Sequence, residues 1–348
     1  MSASPGQPLV GIVANAASGR DIRRLTTGAS VFDNTEKGSM VARIMAGLGA
    51  TGVERVLMMP AGGGLAGTLL RRLEVRRHEQ VLPELELLDW RPMETAADTD
   101  RAVAEMLQRG VQAIAVLGGD GTHRVVARSC GDTPLLALST GTNNAFPEMR
   151  EATVAGVALG LVATGRGGEG ALRREKLLEV RVNGAARDVA LVDVAASHQR
   201  FVGARAVWNP ADIVEIVVSF ASPSAVGLSS VAGLLDPVGR HAASGLHVRL
   251  APPAEAELLL DVPLAPGLVV PVGIAWHRRL EPGEAAQLAQ GSGVVALDGE
   301  RELELRPGDA VEVALARGPL TIDVDQVLRN AAQSGALRRR GHPGHPAH

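Results

Sequence analysis

The chain has no tyrosine, only four phenylalanines and three tryptophans, and a single cysteine in 348 residues. At 2% aromatic content it lacks the stacking platforms that single-stranded nucleic acid demands. A basic excess is missing as well. The 35 Lys and Arg against 38 Asp and Glu leave a formal charge of −3, the wrong sign for a nucleic-acid binder. One cysteine, Cys130, rules out an internal disulfide and a cysteine-based zinc cluster, and suits a reducing compartment. It reads as a small buried apolar residue. The first residues, Met1-Ser2-Ala3-Ser4-Pro5-Gly6, carry no basic n-region, and the apolar run Leu9–Val13 is too short for a signal core. Val154–Thr164 is too short to span a membrane. The expectation is a soluble, cytoplasmic protein with no nucleic-acid and no membrane partner.

What is present is 46% hydrophobic residues over a length that suits two domains. Short apolar runs alternate with amphipathic stretches up to about residue 140, the pattern of βαβ units and a parallel sheet. Strands are expected at Leu9–Asn15, Val53–Met59, Glu84–Leu88, Gln112–Leu117 and Pro134–Leu138. Helices are expected near Glu36–Leu48, Leu65–Val75, Ala96–Arg109, His123–Cys130 and Ala152–Thr164. After the glycine-rich stretch Gly165–Gly170 the period changes from 3.6 to 2. Lys176–Val182 and Arg187–Ala195 alternate around Asn183-Gly184, a strong hairpin signal. Further strands are expected at Ile213–Phe220, His247–Leu250, Leu258–Val262, Leu268–Ala275, Gly293–Leu297, Glu302–Leu305 and Ala310–Leu315. The fold class is therefore α/β plus all-β: a doubly wound layer over residues 1–165, then an antiparallel sandwich over 171–318. A last amphipathic segment within 319–337 is expected to fold back onto the first domain, and 338–348 reads as a disordered tail.

The densest chemical signal is Gly118-Gly119-Asp120-Gly121-Thr122, between an apolar strand and a helix start. Glycines there let backbone N–H groups approach an anion while one acid is held beside it, although a tight turn would look the same. Ligands of open parallel sheets bind beyond the strands' carboxyl ends. Three loops leave that edge: Asn15-Ala16-Ala17-Ser18-Gly19-Arg20, Gly118–Thr122, and Ser139-Thr140-Gly141-Thr142-Asn143-Asn144. No Walker loop occurs, and no G-x-G-x-x-G follows the first strand.

The second and third of these loops resemble the paired phosphate-site motifs of the superfamily that joins NAD kinases and diacylglycerol-type lipid kinases. Within it, the runs Ile12–Leu25 and Ser30–Lys37 resemble the acetoin-catabolism protein X branch, also called ATP-NAD kinase-like. The resemblance implies a Rossmann-like α/β domain followed by a β-sandwich, with the site in the cleft between them. It also implies ATP and Mg²⁺ as cofactors, with NAD as a candidate acceptor, and assembly into a homo-oligomeric dimer or tetramer. By resemblance Gly118, Gly119, Gly121 and Thr122 contact phosphates, with Gly141, Thr142 and Asn143 beside them and Asn15, Ser18, Gly19 and Arg20 on the first loop. Asp120 takes the place of the carboxylate that activates the acceptor hydroxyl.

On the acceptor side the resemblance points to Asn144, Asp193, Ser222 and Ser229. The chain departs from NAD kinases there. Val192 stands where they carry Asn, and their pocket Tyr has no counterpart in a Tyr-free chain. Leu297-Asp298-Gly299-Glu300 echoes a motif near lipid-kinase active sites, but Asp-Gly between alternating runs is also a hairpin turn. His123, at a helix start, packs locally or reaches a phosphate as an imidazolium. Trp208 and Trp276 read as core or interface residues. These readings predict an ATP-dependent kinase of NAD-kinase type, phosphorylating NAD(H) or a related small soluble acceptor. The alternatives are a kinase for a small diol, polyol or lipid, and a non-catalytic nucleotide-binding accessory protein.

Overall fold

The computed structural model describes residues 7–16, 32–62, 64–141, 143–198, 212–288 and 293–338. Its first half alternates strand and helix: β1 (Leu9–Ala14), α1 (Asn34–Ala50), β2 (Arg55–Met58), α2 (Leu65–Arg76), β3 (Glu84–Leu87), α3 (Ala96–Gln108), β4 (Ala113–Gly118), α4 (Asp120–Ser129), β5 (Leu135–Ser139) and α5 (Ala152–Ala163). These five strands pair in parallel in the order β3-β2-β1-β4-β5. β1 and β4 are buried at every residue because helices cover both faces, which is why they read as unbroken apolar runs. One face packs on α1, α2 and α5 and the other on α3 and α4. Cys130, just past α4, is buried, and burial pushes its thiol up to about 11, as a core residue requires.

Most of the long helices begin on an acidic or hydroxyl cap. The Asp33 carboxylate accepts from Glu36 N, that of Glu151 from Val154 N, and the Asp98 carboxylate takes the N–H of Thr95. α2 and α4 are exceptions: their N-caps are Gly64 and Gly119, with no capping side chain.

The second half comprises β6 (Leu172–Val182), β7 (Ala185–Ala190), β8 (Asp193–Ser197), β9 (Ile213–Val218), α6 (Ser229–Leu235), β10 (Gly245–Ala251), β11 (Leu258–Ala265), β12 (Leu268–Leu280), β13 (Ala285–Leu288), β14 (Gly293–Leu297), β15 (Glu300–Leu305), β16 (Val311–Ile322) and α7 (Val324–Ser334). A seven-stranded sheet, β11-β12-β10-β9-β8-β14-β15, is antiparallel throughout. Its partner layer is an extension of the first sheet. β16 pairs with β5 through Thr321 and Leu135 and carries β6, β7 and β13 with it, making nine strands in all. Leu178, Val180, Val311 and Val313 on that extension meet Val194, Val217, Val295 and Leu297 on the second sheet. Two strands expected as one, Arg187–Ala195, are divided at Leu191-Val192, where the chain steps from the first sheet to the second.

α7 returns to the first layer, where Val324, Val327 and Ala331 join the core beneath α5. Arg150 grips its first turn through both Asp325 oxygens, at 2.7 and 2.8 Å. Two elements had no sequence signal: β13, Ala-Ala-Gln-Leu without a β-branched residue, and α6, seven residues containing two serines and a glycine. Trp276 is 42% exposed on β12, its ring edge-on to His247, and so is no core residue; Trp208 lies outside the described residues.

α1 and α5 cross with their backbones in contact. A Cβ on Gly47 would stand 2.5 Å from Val157 N, and one on Gly156 would stand 2.6 Å from Ile44 O. Backbone on both sides cannot yield as a side chain can. Gly156→Ala is expected to destabilise the chain by about 2 kcal/mol through overpacking, read as a lower urea midpoint with unchanged slope.

Candidate active site

The strand order reverses between β1 and β4, and in open α/β sheets that crevice is where ligands bind. Asn15 follows β1 and Gly118 ends β4, so two of the three expected loops flank it. Only Gly119 separates β4 from α4. None of Gly118, Gly119 and Gly121 has a positive φ, so no left-handed turn requires them. Close approach does. A Cβ at Gly118 would lie 2.7 Å from the Thr122 side chain, one at Gly119 2.9 Å from Asn144 Oδ1, and one at Gly121 3.1 Å from Glu300 Oε1. The glycines keep the helix N-terminus in contact with polar side chains from three directions.

The surrounding loops are strapped to that N-terminus. Asn15 Nδ2 donates to Thr122 Oγ1 (3.3 Å), and the Lys37 ammonium, 1% exposed, donates to Asn15 O (3.0 Å). After β5, Ser139 Oγ donates to Gly141 O (2.6 Å), and Asn144 Nδ2 donates to Ser139 Oγ (2.7 Å). The Asp120 carboxylate accepts the N–H groups of Ala145 (3.0 Å) and Phe146 (2.8 Å), tying the third loop to α4. Asn144 thus sits beside the glycine run, its Nδ2 also 3.4 Å from Gly141 O, whereas Ser18, Gly19, Arg20 and Thr142 lie outside the described residues.

From the second sheet the junction receives carboxylates. Asp298 and Gly299, at φ 50° and 78°, make the hairpin turn between β14 and β15, so the turn reading of this segment holds. It carries chemistry as well. The buried Asp298 carboxylate accepts N–H groups from Leu191 (3.0 Å), Val192 (2.7 Å) and Asp193 (3.3 Å). Burial pushes its pKa well above the usual carboxylate range, and the negative charges of Asp193 and Asp120 push the same way. Asp298 therefore feels the charges of Asp193 and Asp120 across the joint between the sheets, and Glu300 lies against Gly121. Among the described residues no group of three or more His, Cys, Asp or Glu side chains is arranged to hold a metal by itself.

Other expected residues are not gathered here. Ser222 is exposed, its hydroxyl 2.8 Å from that of Ser224. Ser229 is buried at the start of α6, which packs against β11 and β9. His123 is wholly buried, and desolvation lowers its pKa to about 4, so it does not reach a phosphate as an imidazolium. A cavity of about 240 Å³ opens on the other side of Phe146, beside Arg150, Arg173 and Arg240. Those arginines are paired with Asp325, Asp323 and Glu175, so its charge is internally balanced. Lys37 was not singled out from the sequence, whereas Asp298 and Glu300 were flagged there with a hairpin turn as the alternative. The signal for Lys37 was a lone lysine leading into the buried run Gly38–Ala42.

The raised pKa of Asp298 has a sign. The folded chain keeps this proton at pH values where the unfolded carboxyl, near 3.8, has lost it, so its contribution to stability declines as pH rises from about 4 toward the native pKa. Asp298→Asn, which retains an acceptor for the Leu191 and Val192 N–H groups, is expected to flatten that decline in chemical denaturation at pH 5 to 8.

Residues 10–166 match the model of the ATP-NAD kinase N-terminal domain, and residues 176–318 match the acetoin catabolism protein X C-terminal domain. A crystal structure of a diacylglycerol kinase candidate from Bacillus anthracis str. Sterne aligns over 91% of this chain and 97% of its own, at 12% identity and a TM-score of 0.45. The acetoin catabolism protein X of Cupriavidus necator H16 is 47% identical over 343 residues, 97% of this chain and 96% of that protein. With an NAD kinase-like α/β half, its own C-terminal domain and that identity over nearly its full length, the chain belongs to the acetoin catabolism protein X family.

Proposed function

We propose that this chain is an ATP-dependent phosphotransferase acting on a hydroxyl of a small soluble acceptor, with NAD(H) as the first candidate. The observation that carries the reading is the uncapped N-terminus of α4 at the β1/β4 switch point, faced by carboxylates of the second sheet. The N–H groups of a helix's first turn have no intrahelical partner and suit phosphate oxygens. Thr122 and the Lys37 ammonium flank them. The acceptor hydroxyl attacks the terminal phosphorus, the bond to the bridging oxygen of ADP breaks, and a carboxylate takes the hydroxyl proton.

Asp120 is the first choice for that proton. Its two backbone N–H bonds hold the carboxylate in one orientation. Glu300, against Gly121, is the second choice. Carboxylate oxygens are hard donors and fit Mg²⁺, which keeps few protein ligands; Asp120 and Asp193 would hold it, and it would neutralise phosphate charge.

A different acceptor is favoured by one specific observation: Val192 stands where the resemblance to NAD kinases implies an amide. A small diol or polyol then replaces the dinucleotide, which agrees with a relative named for acetoin catabolism. A lipid acceptor and a non-catalytic nucleotide-binding role remain the further alternatives. No described helix is long and apolar enough to cross a membrane.

The test is a calorimetric titration with ATP–Mg²⁺, NAD⁺, NADH and NADP⁺. The expected result is binding of ATP–Mg²⁺ and NAD(H), followed by NADP formation that Asp120→Asn lowers by about a hundredfold or more. Glu300→Gln is expected to cost less. The reverse order reassigns the proton to Glu300, and ATP binding without any dinucleotide moves the search to small diols.

A further inference from the structure

α4 begins on a glycine with no capping side chain, the residue type with most backbone freedom, at the place where a ligand needs its donors fixed. The restraint comes from one turn further on. Gly119 O accepts the helical N–H of His123 (3.2 Å) and is also 2.8 Å from His123 Nδ1. A carbonyl oxygen only accepts, so Nδ1 carries the proton. Both lone pairs of that oxygen are then used, and the plane of the Gly119–Asp120 peptide is set. Because this peptide is trans, the Asp120 N–H points the opposite way, out of the helix N-terminus.

The ring is suited to this task and to little else. It is 0% exposed, stands 5.9 Å from the Phe146 ring, and has the backbone of Val116 as a second hydrogen-bonding neighbour. Burial keeps it neutral, so it contributes a hydrogen bond and no charge. Its neighbour Phe146 supplies one of the N–H groups on Asp120, so the imidazole supports the loop on both sides of that carboxylate.

We infer that His123 is a positioning residue: it presets the Gly119 peptide so that the N-terminus of α4 meets a polyphosphate already oriented. The inference rests on the phosphotransferase reading and deepens it.

Asparagine places its Nδ2 near the position of Nδ1; glutamine and leucine do not offer that donor. The full chain and its His123→Asn, His123→Gln and His123→Leu variants are titrated with ATP–Mg²⁺ and with inorganic tripolyphosphate, circular dichroism checking that each is folded. His123→Asn is expected within about threefold of the parent, and the other two about tenfold weaker on both probes, the order of one lost hydrogen bond. Equal affinities across the series overturn the inference, and so does a loss in His123→Asn as deep as in His123→Leu. Nitrogen NMR of the parent chain gives a separate reading: a neutral Nδ1–H ring from about pH 6 to 8 is expected, and an Nε2–H tautomer overturns it. If the parent binds neither probe while the Nδ1–H ring is present, the phosphotransferase reading fails and takes this role with it. If the parent binds and His123→Leu changes nothing, only the role of His123 fails.

Discussion

The constraint on which the site depends is the absence of side-chain atoms at Gly118, Gly119 and Gly121. A strand ends and a helix begins within one residue, and three polar side chains press on that backbone from separate elements: Thr122 from the helix, Asn144 from the loop after β5, and Glu300 from the second sheet. A methyl group at any of these glycines would push one partner away. The same bareness leaves first-turn N–H groups facing the switch point, a fixed partial positive charge that draws anions.

Carboxylates gather around that charge at a cost. Burying one is worth several kcal/mol against folding unless hydrogen bonds offset it. Asp298 offsets part of this by accepting three backbone N–H groups. Its pKa still moves up, so desolvation and the neighbouring carboxylates outweigh the hydrogen bonds.

Phe146 joins the two halves of the molecule. Its N–H reaches Asp120, its carbonyl accepts from Arg240 Nη1 (2.7 Å), and its ring lies 4.5 Å beneath the same guanidinium. Arg240 continues to Glu175 and Glu175 to Thr321 of β16. Phe146 also packs with Leu191, Val192 and Phe220, on the segments that lead into β8 and out of β9. A shift of the second sheet against the first therefore acts on the loop that holds the Asp120 carboxylate.

The amino-acid sequence by itself determined the alternating layer and its three loops. Local period and glycine placement are properties of neighbouring residues, so β1, β4 and α4 lie within a few residues of expectation. The change of period near residue 170 likewise foretold antiparallel strands. What the sequence left open was which sheet each of those strands joins, because alternation is the same in either; only packing made β6, β7, β13 and β16 an extension of the first sheet. At the site, Asp120 was legible from its glycines. Asp298 was only half legible, since its Leu-Asp-Gly-Glu motif spells a hairpin whether or not a second carboxylate stands opposite. The burial of Ser229 was not legible either, because it depends on how α6 packs against β11 and β9. The meeting of residues 120, 193 and 298 belongs to the tertiary structure, because charge acts through space and spacing along the chain does not record it.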